Sequence, residues 1–140
     1  MTVEATNGSR ALDGGCWCGA MRYRVADAFL YACNCHCSRC RAATGSAFKP
    51  FAGIERDKLE VLTGGDALLV NGDELLNDTR CAKCGSLLYS VVREGEWVHV
   101  ALGSLVDEPG MRPTKHIFVG SKAAWFEITD DLPQFDEHAG

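Results

Sequence analysis

Apolar and polar residues alternate through Met21-Arg22-Tyr23-Arg24-Val25, the period of two shown by a strand with one buried face. Similar alternation, or a short apolar run bounded by Gly, Asn, Asp or Pro, marks further strands at Leu30 to Cys33, Ala47 to Ala52, Lys58 to Thr63 and Ala67 to Asn71. Leu87 to Val92, Trp97 to Leu102 and His116 to Val119 complete the set. Arg93-Glu94-Gly95-Glu96 lies between two of these and reads as a hairpin turn with Glu94-Gly95 at its tip. Helical character is confined to Ser38 to Ala43, a turn or two. The pattern predicts a mainly β, largely antiparallel domain.

No repeat, low-complexity block or Pro-rich linker divides the 140 residues, a length that suits one hydrophobic core. Residues 1–14 are expected to be a flexible lead-in, 15–135 the domain and 136–140 a tail. Leu105 to Thr114, with Asp107, Pro109, Gly110 and Pro113, reads as a loop able to flank a site. Trp97, Trp125 and Phe126 are expected in the core or on a flap, and Trp17 beside the metal-binding loop. No apolar run approaches the roughly 18 residues that cross a bilayer, so no membrane association is expected. The polar start carries no basic-then-apolar leader, which points to the cytoplasm. A net charge of -5 argues against nucleic acid as a partner. Arg22, Arg24, Arg39, Arg41 and Lys49 cluster in the first third; they suit a small anionic substrate or are ordinary solvated side chains.

The eight cysteines change this picture most. In a reducing compartment thiols rarely persist as disulfides, and these are spaced as metal ligands: Cys16-x-Cys18, Cys33-x-Cys35-x-Cys37-x-x-Cys40 and Cys81-x-x-Cys84-Gly85. Cys81 and Cys84 form a knuckle that supplies half a tetrahedral zinc site. Cys16-x-Cys18-Gly19 offers the other half, giving a closed structural site of four sulfurs. Cys35, Cys37 and Cys40 offer three more, and three ligands leave one coordination position open, the mark of a catalytic zinc. Three thiolates on a divalent ion leave a net charge of about -1, which suits holding a substrate thiolate better than ionising water. His36 is either a fourth ligand or a group facing the substrate, and Cys33 either joins the cluster or is a small buried thiol. If Cys33 or His36 completes the second set, both zincs are structural.

The ordered set Gly15-Cys16-x-Cys18-Gly19, Cys35-His36-Cys37-Ser38-x-Cys40-Arg41, Thr44-Gly45-Ser46, Cys81-x-x-Cys84-Gly85-Ser86, Gly103-Ser104-Leu105, His116-Ile117-Phe118 and Ser121-Lys122-Ala123-Ala124-Trp125 resembles the glutathione-dependent formaldehyde-activating enzyme family, which includes the centromere protein V type. The resemblance spans nearly the whole chain. It implies a mainly β fold similar to methionine-R-sulfoxide reductase B and two zinc ions, held by Cys16, Cys18, Cys81 and Cys84 and by Cys35, Cys37 and Cys40. It also implies a carbon-sulfur lyase-type activity, run here as glutathione plus formaldehyde to S-hydroxymethylglutathione. Asp107-Glu108-Pro109 departs from the leucine-aspartate-aspartate-proline type of stretch expected there. On this reading His36 or a water protonates the nascent hydroxymethyl oxygen, and Arg39, Arg41 or Lys49 grips the carboxylates of the thiol. The rivals are a lyase or carrier for another thiol adduct, and a non-catalytic zinc-stabilised module that binds a partner protein.

Overall fold

The computed structural model describes residues 10–138. Among the described residues there are ten strands: β1 (Ala11–Gly15), β2 (Arg22–Ala26), β3 (Tyr31–Cys35), β4 (Lys49–Glu55), β5 (Leu59–Thr63), β6 (Leu68–Gly72), β7 (Asn77–Cys81), β8 (Leu87–Val92), β9 (Trp97–Ala101) and β10 (His116–Ile117). One α-helix, α1 (Ser38–Thr44), joins β3 to β4. The strands form a three-stranded sheet in the order β1-β2-β5 and a seven-stranded sheet in the order β10-β3-β4-β9-β8-β7-β6. Every pairing is antiparallel except that of β10 with β3.

The two sheets bury their apolar faces together. Leu12, Tyr23 and Val25 on the small sheet pack with Ala32, Ala52, Ile54, Val91, Val98 and Val100 on the large one. Tyr23 fits because β1 carries Gly14, where a Cβ would lie 2.4 Å from the Tyr23 ring. The other face of the large sheet is fixed by register, since residues paired across strands share a face. Cys35 pairs with Lys49, Cys33 with Phe51 and Tyr31 with Gly53. Gly53 in turn pairs with His99, His99 with Ser90 and Ser90 with Asp78. One side of the sheet thus faces the apolar core, and the other sets the sulfurs of Cys33 and Cys35 in line with Lys49, His99, Ser90 and Asp78.

The hairpin forms as expected, with Arg93, Glu94 and Gly95 all at positive φ. Two strands escape the hydrophobic pattern. β1 begins at Ala11, inside the stretch expected to be a lead-in and ahead of the boundary at residue 15. β7 buries Asn77, Thr79 and Cys81 in strict alternation, a period of two written in polar side chains. At the other end, Gln134 bridges to His116, and the N–H groups of Phe118 and Val119 donate to Glu137 and Phe135 at 2.9 Å each. Residues 136–138 thus pack against Phe118 and Gly120, directly after β10. The expectations for residues 1–9 and 139–140 lie outside the described residues. Among those described, no helix is long and apolar enough to cross a membrane.

Candidate metal centre and its pocket

Two turns present the first group of sulfurs. Cys16 and Cys18 follow β1, Cys81 ends β7, and each turn closes on a glycine in the left-handed region, Gly19 at φ 82° and Gly85 at φ 80°. Gly85 N–H donates to the Cys81 carbonyl at 2.8 Å and Gly19 N–H to the Cys16 carbonyl at 3.2 Å, which curls both backbones around a common point. The Sγ atoms of Cys16 and Cys18 lie 3.6 Å apart and those of Cys18 and Cys81 3.7 Å. Sulfurs at about 2.3 Å from one ion in a tetrahedron stand about 3.8 Å apart, so this spacing fits a metal and is far too long for a disulfide. All four sulfurs are within 4.8 Å of one another.

Their charges fit the same conclusion. The Ser86 hydroxyl and backbone hydrogen-bond to Cys84 and pull its thiol down to about 5. At Cys18 a backbone hydrogen bond to Ala20 favours the thiolate, but desolvation and the sulfurs of Cys16, Cys81 and Cys84 outweigh it and push the thiol up to about 11. Four crowded thiols cannot all ionise without a cation among them.

The second group arises where β3 runs into α1. Cys35 is the last residue of the strand; Cys37 caps the helix, its sulfur accepting from the Cys40 N–H at 3.3 Å; Cys40 lies in the first turn. These three sulfurs are again within 4.8 Å of one another and could hold a metal ion. The hydrogen bond with Cys35, desolvation and the Cys35 charge together hold the Cys40 thiol far above its usual range. Cys33 stands outside both groups as a buried thiol, with burial pushing its pKa up.

His36 is not where a ligand or proton donor is needed. An extended backbone turns successive side chains to opposite sides, so His36 points away from its flanking cysteines. It is fully buried, its Nε2 is 2.8 Å from His116 Nδ1, and His116 Nε2 reaches Asp130 Oδ2 at 3.0 Å. Phe48 and Phe126 lie beside the ring, at centroid distances of 5.0 and 6.1 Å. Desolvation first, then the charges of His116 and Lys122, pull its pKa down to about 4, so the imidazole is neutral at pH 7. It lines none of the cavities around the three sulfurs.

A cavity of about 660 Å³ opens beside Cys35 and Cys40. Its walls carry Lys49, Arg93 and Lys115 and, among the described residues, no carboxylate, with Tyr31, Phe51, His99 and Phe118 as the aromatic part. The Arg93 guanidinium lies over the Tyr31 and Trp97 rings, 5.3 and 5.0 Å from their centroids. Tyr31 Oη and His99 Nε2 share a 2.7 Å hydrogen bond, and desolvation, reinforced by Lys49 and Arg93, lowers the His99 pKa to about 3. Of the three cations singled out in the sequence, only Lys49 faces this cavity. Arg39 pairs with Asp78 at 3.5 Å on a smaller neighbouring cavity. Arg41 lines none of the cavities around the sulfurs, and its buried Nε finds no acceptor among the described residues. Arg93 and Lys115 take their place, one from a hairpin tip and one from the end of a loop.

The Leu105 to Thr114 loop is tied elsewhere: Val106 N–H donates to Asp13, Asp107 accepts from the Asp13 N–H and Asp27 from the Gly110 N–H, so its first half runs along the small sheet. Trp17 (91% exposed) and Trp125 (73% exposed) both project into solvent, and neither covers a group of sulfurs as a core residue would.

A family model described as glutathione-dependent formaldehyde-activating enzyme matches residues 11–121. The chain belongs to this family. A Halomonas elongata protein named provisionally as a glutathione-dependent formaldehyde-activating enzyme is 30% identical over 129 residues, covering 84% of this chain and 80% of that one. The crystal structure of a Rhodobacter sphaeroides protein has the same fold, with a TM-score of 0.58 at 24% identity, over 73% of this chain and 98% of that one. The residues matched to the formaldehyde-activating family include both groups of sulfurs and reach through β10.

Proposed function

We propose that this protein combines glutathione with formaldehyde to give S-hydroxymethylglutathione, formally a carbon-sulfur lyase reaction run in reverse, at the site formed by Cys35, Cys37 and Cys40. The observation that carries the reading is the juxtaposition of three sulfurs with a cavity that, among the described residues, is cationic, partly aromatic and free of carboxylates. A divalent zinc ion on three thiolates would supply one thing: a centre that keeps a substrate thiol ionised at neutral pH. The chain's own residues do the rest. Arg93 and Lys115 attract the carboxylates of the peptide thiol, with Arg93 held in place by stacking over Tyr31 and Trp97. Phe51 and Phe118 give its aliphatic part an apolar wall. Cys16, Cys18, Cys81 and Cys84 would hold a second zinc, whose role would be folding.

Cobalt substituted at the three-cysteine site tests the reading, because a fourth sulfur raises the charge-transfer absorption. Added glutathione is expected to increase that absorption, while simple esters and amides are not hydrolysed. A spectrum indifferent to every small thiol, together with ester or amide turnover, would make the site a water-activating hydrolase. Indifference without turnover favours the partner-binding module.

A further inference from the structure

We propose that Lys49 is a catalytic residue: its ammonium donates hydrogen bonds to the aldehyde oxygen while the thiol sulfur adds to the carbonyl carbon. The proposal rests on the reading of function given above and assigns Lys49 a task other than gripping substrate carboxylates. Its place is set by the backbone, since Lys49 is the residue of β4 paired with Cys35 and therefore projects from the sheet on the side of the sulfurs. Lys49 is 5% exposed and lines the cavity together with Cys35 and Cys40. A group so deep meets the reacting end of a peptide thiol; Arg93, which is exposed, suits the carboxylates farther out.

The ammonium is aimed as well as buried. Lys49 Nζ donates to Ser90 Oγ at 2.7 Å, Ser90 Oγ donates to Asp78 Oδ1 at 2.6 Å, and Asp78 Oδ2 lies 3.5 Å from Arg39 Nη2. This chain crosses from β4 through β8 to β7 and ends on α1. Of the three N–H donors of an ammonium, Ser90 is the acceptor for one among the described residues. A desolvated ammonium with donors to spare, fixed beside Cys35 and Cys40 where a substrate thiol would be held, is the arrangement that stabilises charge developing on oxygen.

The step balances without an oxidant or reductant. A sulfur lone pair forms the C–S bond, the carbonyl π pair moves onto oxygen, and the alkoxide is held by Lys49. Solvent then returns to that oxygen the proton that the thiol released when it ionised. Breakdown of the adduct runs through the same contacts in reverse.

Zinc-loaded wild type, Lys49→Met, Lys49→Arg and Ser90→Ala are compared by the exchange rate of 13C-formaldehyde with its glutathione adduct, by glutathione Kd and by zinc content. Lys49→Met is expected to lower kcat about 10²-fold while leaving Kd within about threefold and zinc content unchanged. Lys49→Arg is expected to restore part of the rate, and Ser90→Ala, which keeps the ammonium but releases its aim, to lose about tenfold. An unchanged kcat in Lys49→Met, a loss confined to Kd, or a loss of zinc each overturns the assignment. Should Lys49→Met fail to fold, Ser90→Ala decides, and full activity in that variant refutes the role. A wild type that does not accelerate the exchange removes the proposed function itself, an outcome distinct from an active wild type with an unimpaired Lys49 variant.

Discussion

A Cβ at Gly53 would sit 2.2 Å from Tyr31 Cζ, so the tyrosine ring lies flat over a bare stretch of β4 and from there meets His99 and Trp97. Gly53→Ala is expected to drive the ring off its seat and cost about 1–3 kcal/mol in urea unfolding, with weaker glutathione binding because Arg93 loses the ring it stacks on. Unchanged stability and binding in that variant would mean that Tyr31 does not shape the pocket. His99 carries a prediction about pH. Its pKa of about 3 in the fold lies below the ordinary 6.5, so at pH above 6.5 both folded and unfolded states are neutral and its contribution to stability is complete. As pH falls from 6.5 toward 3 the unfolded chain takes up a proton that the folded one refuses, and stability drains away. The stability advantage of wild type over His99→Gln is therefore expected to shrink between pH 7.5 and 5, measured by denaturant unfolding of both proteins at each pH. A constant gap would show that the imidazole takes up its proton as readily in the folded chain as in the unfolded one.

The segment from Cys35 to Cys40 is one strand end and one helical turn, with all its sulfurs local in sequence. Cys37→Ser is expected to remain folded while giving up one zinc equivalent in a metal analysis of the purified protein. Full metal content in that variant would take Cys37 out of the ligand set. The same segment shows what could be read without coordinates. Close cysteine spacing and a short helical stretch are local, and both were legible. Strands whose inward side chains are apolar were legible too, such as β2, β4 and β9. β7 was not, because its buried positions are Asn77, Thr79 and Cys81, and hydropathy cannot report a strand that buries polar groups. β1 was hidden by Gly14 and Gly15, whose use appears only once Tyr23 lies across the first of them. The pocket was the least visible, since Lys49, Arg93 and Lys115 meet only through the pairing of β10, β3, β4, β9 and β8. Clustering in sequence pointed to Arg39 and Arg41, which the folded chain directs elsewhere.

Across the whole molecule, the four-sulfur group joins the loop after β1 on the small sheet to the β7–β8 turn on the large one. Cys84→Ala is expected to yield insoluble or unfolded protein, because an ion that closes so long a loop contributes its binding energy directly to folding. A soluble variant with unchanged melting would show that Cys84 is not a ligand. Asp130→Asn, at the far end of the His36–His116 chain and outside both sulfur groups, is expected to leave zinc content intact and to lower Tm by a few degrees, because His116 loses the carboxylate it bonds. An unchanged Tm would leave that hydrogen bond without a stabilising role.

The separation of 63 residues between Cys18 and Cys81 also has a meaning in time. During synthesis at about 5–20 residues per second, Cys16 and Cys18 leave the ribosome several seconds before their partners exist. For that interval the nascent chain offers a pair of free thiols with nowhere to close, while Cys35, Cys37 and Cys40 have already emerged as a complete trio. The three-sulfur group, which could hold a metal ion, is thus complete in the growing chain before the four-sulfur group is.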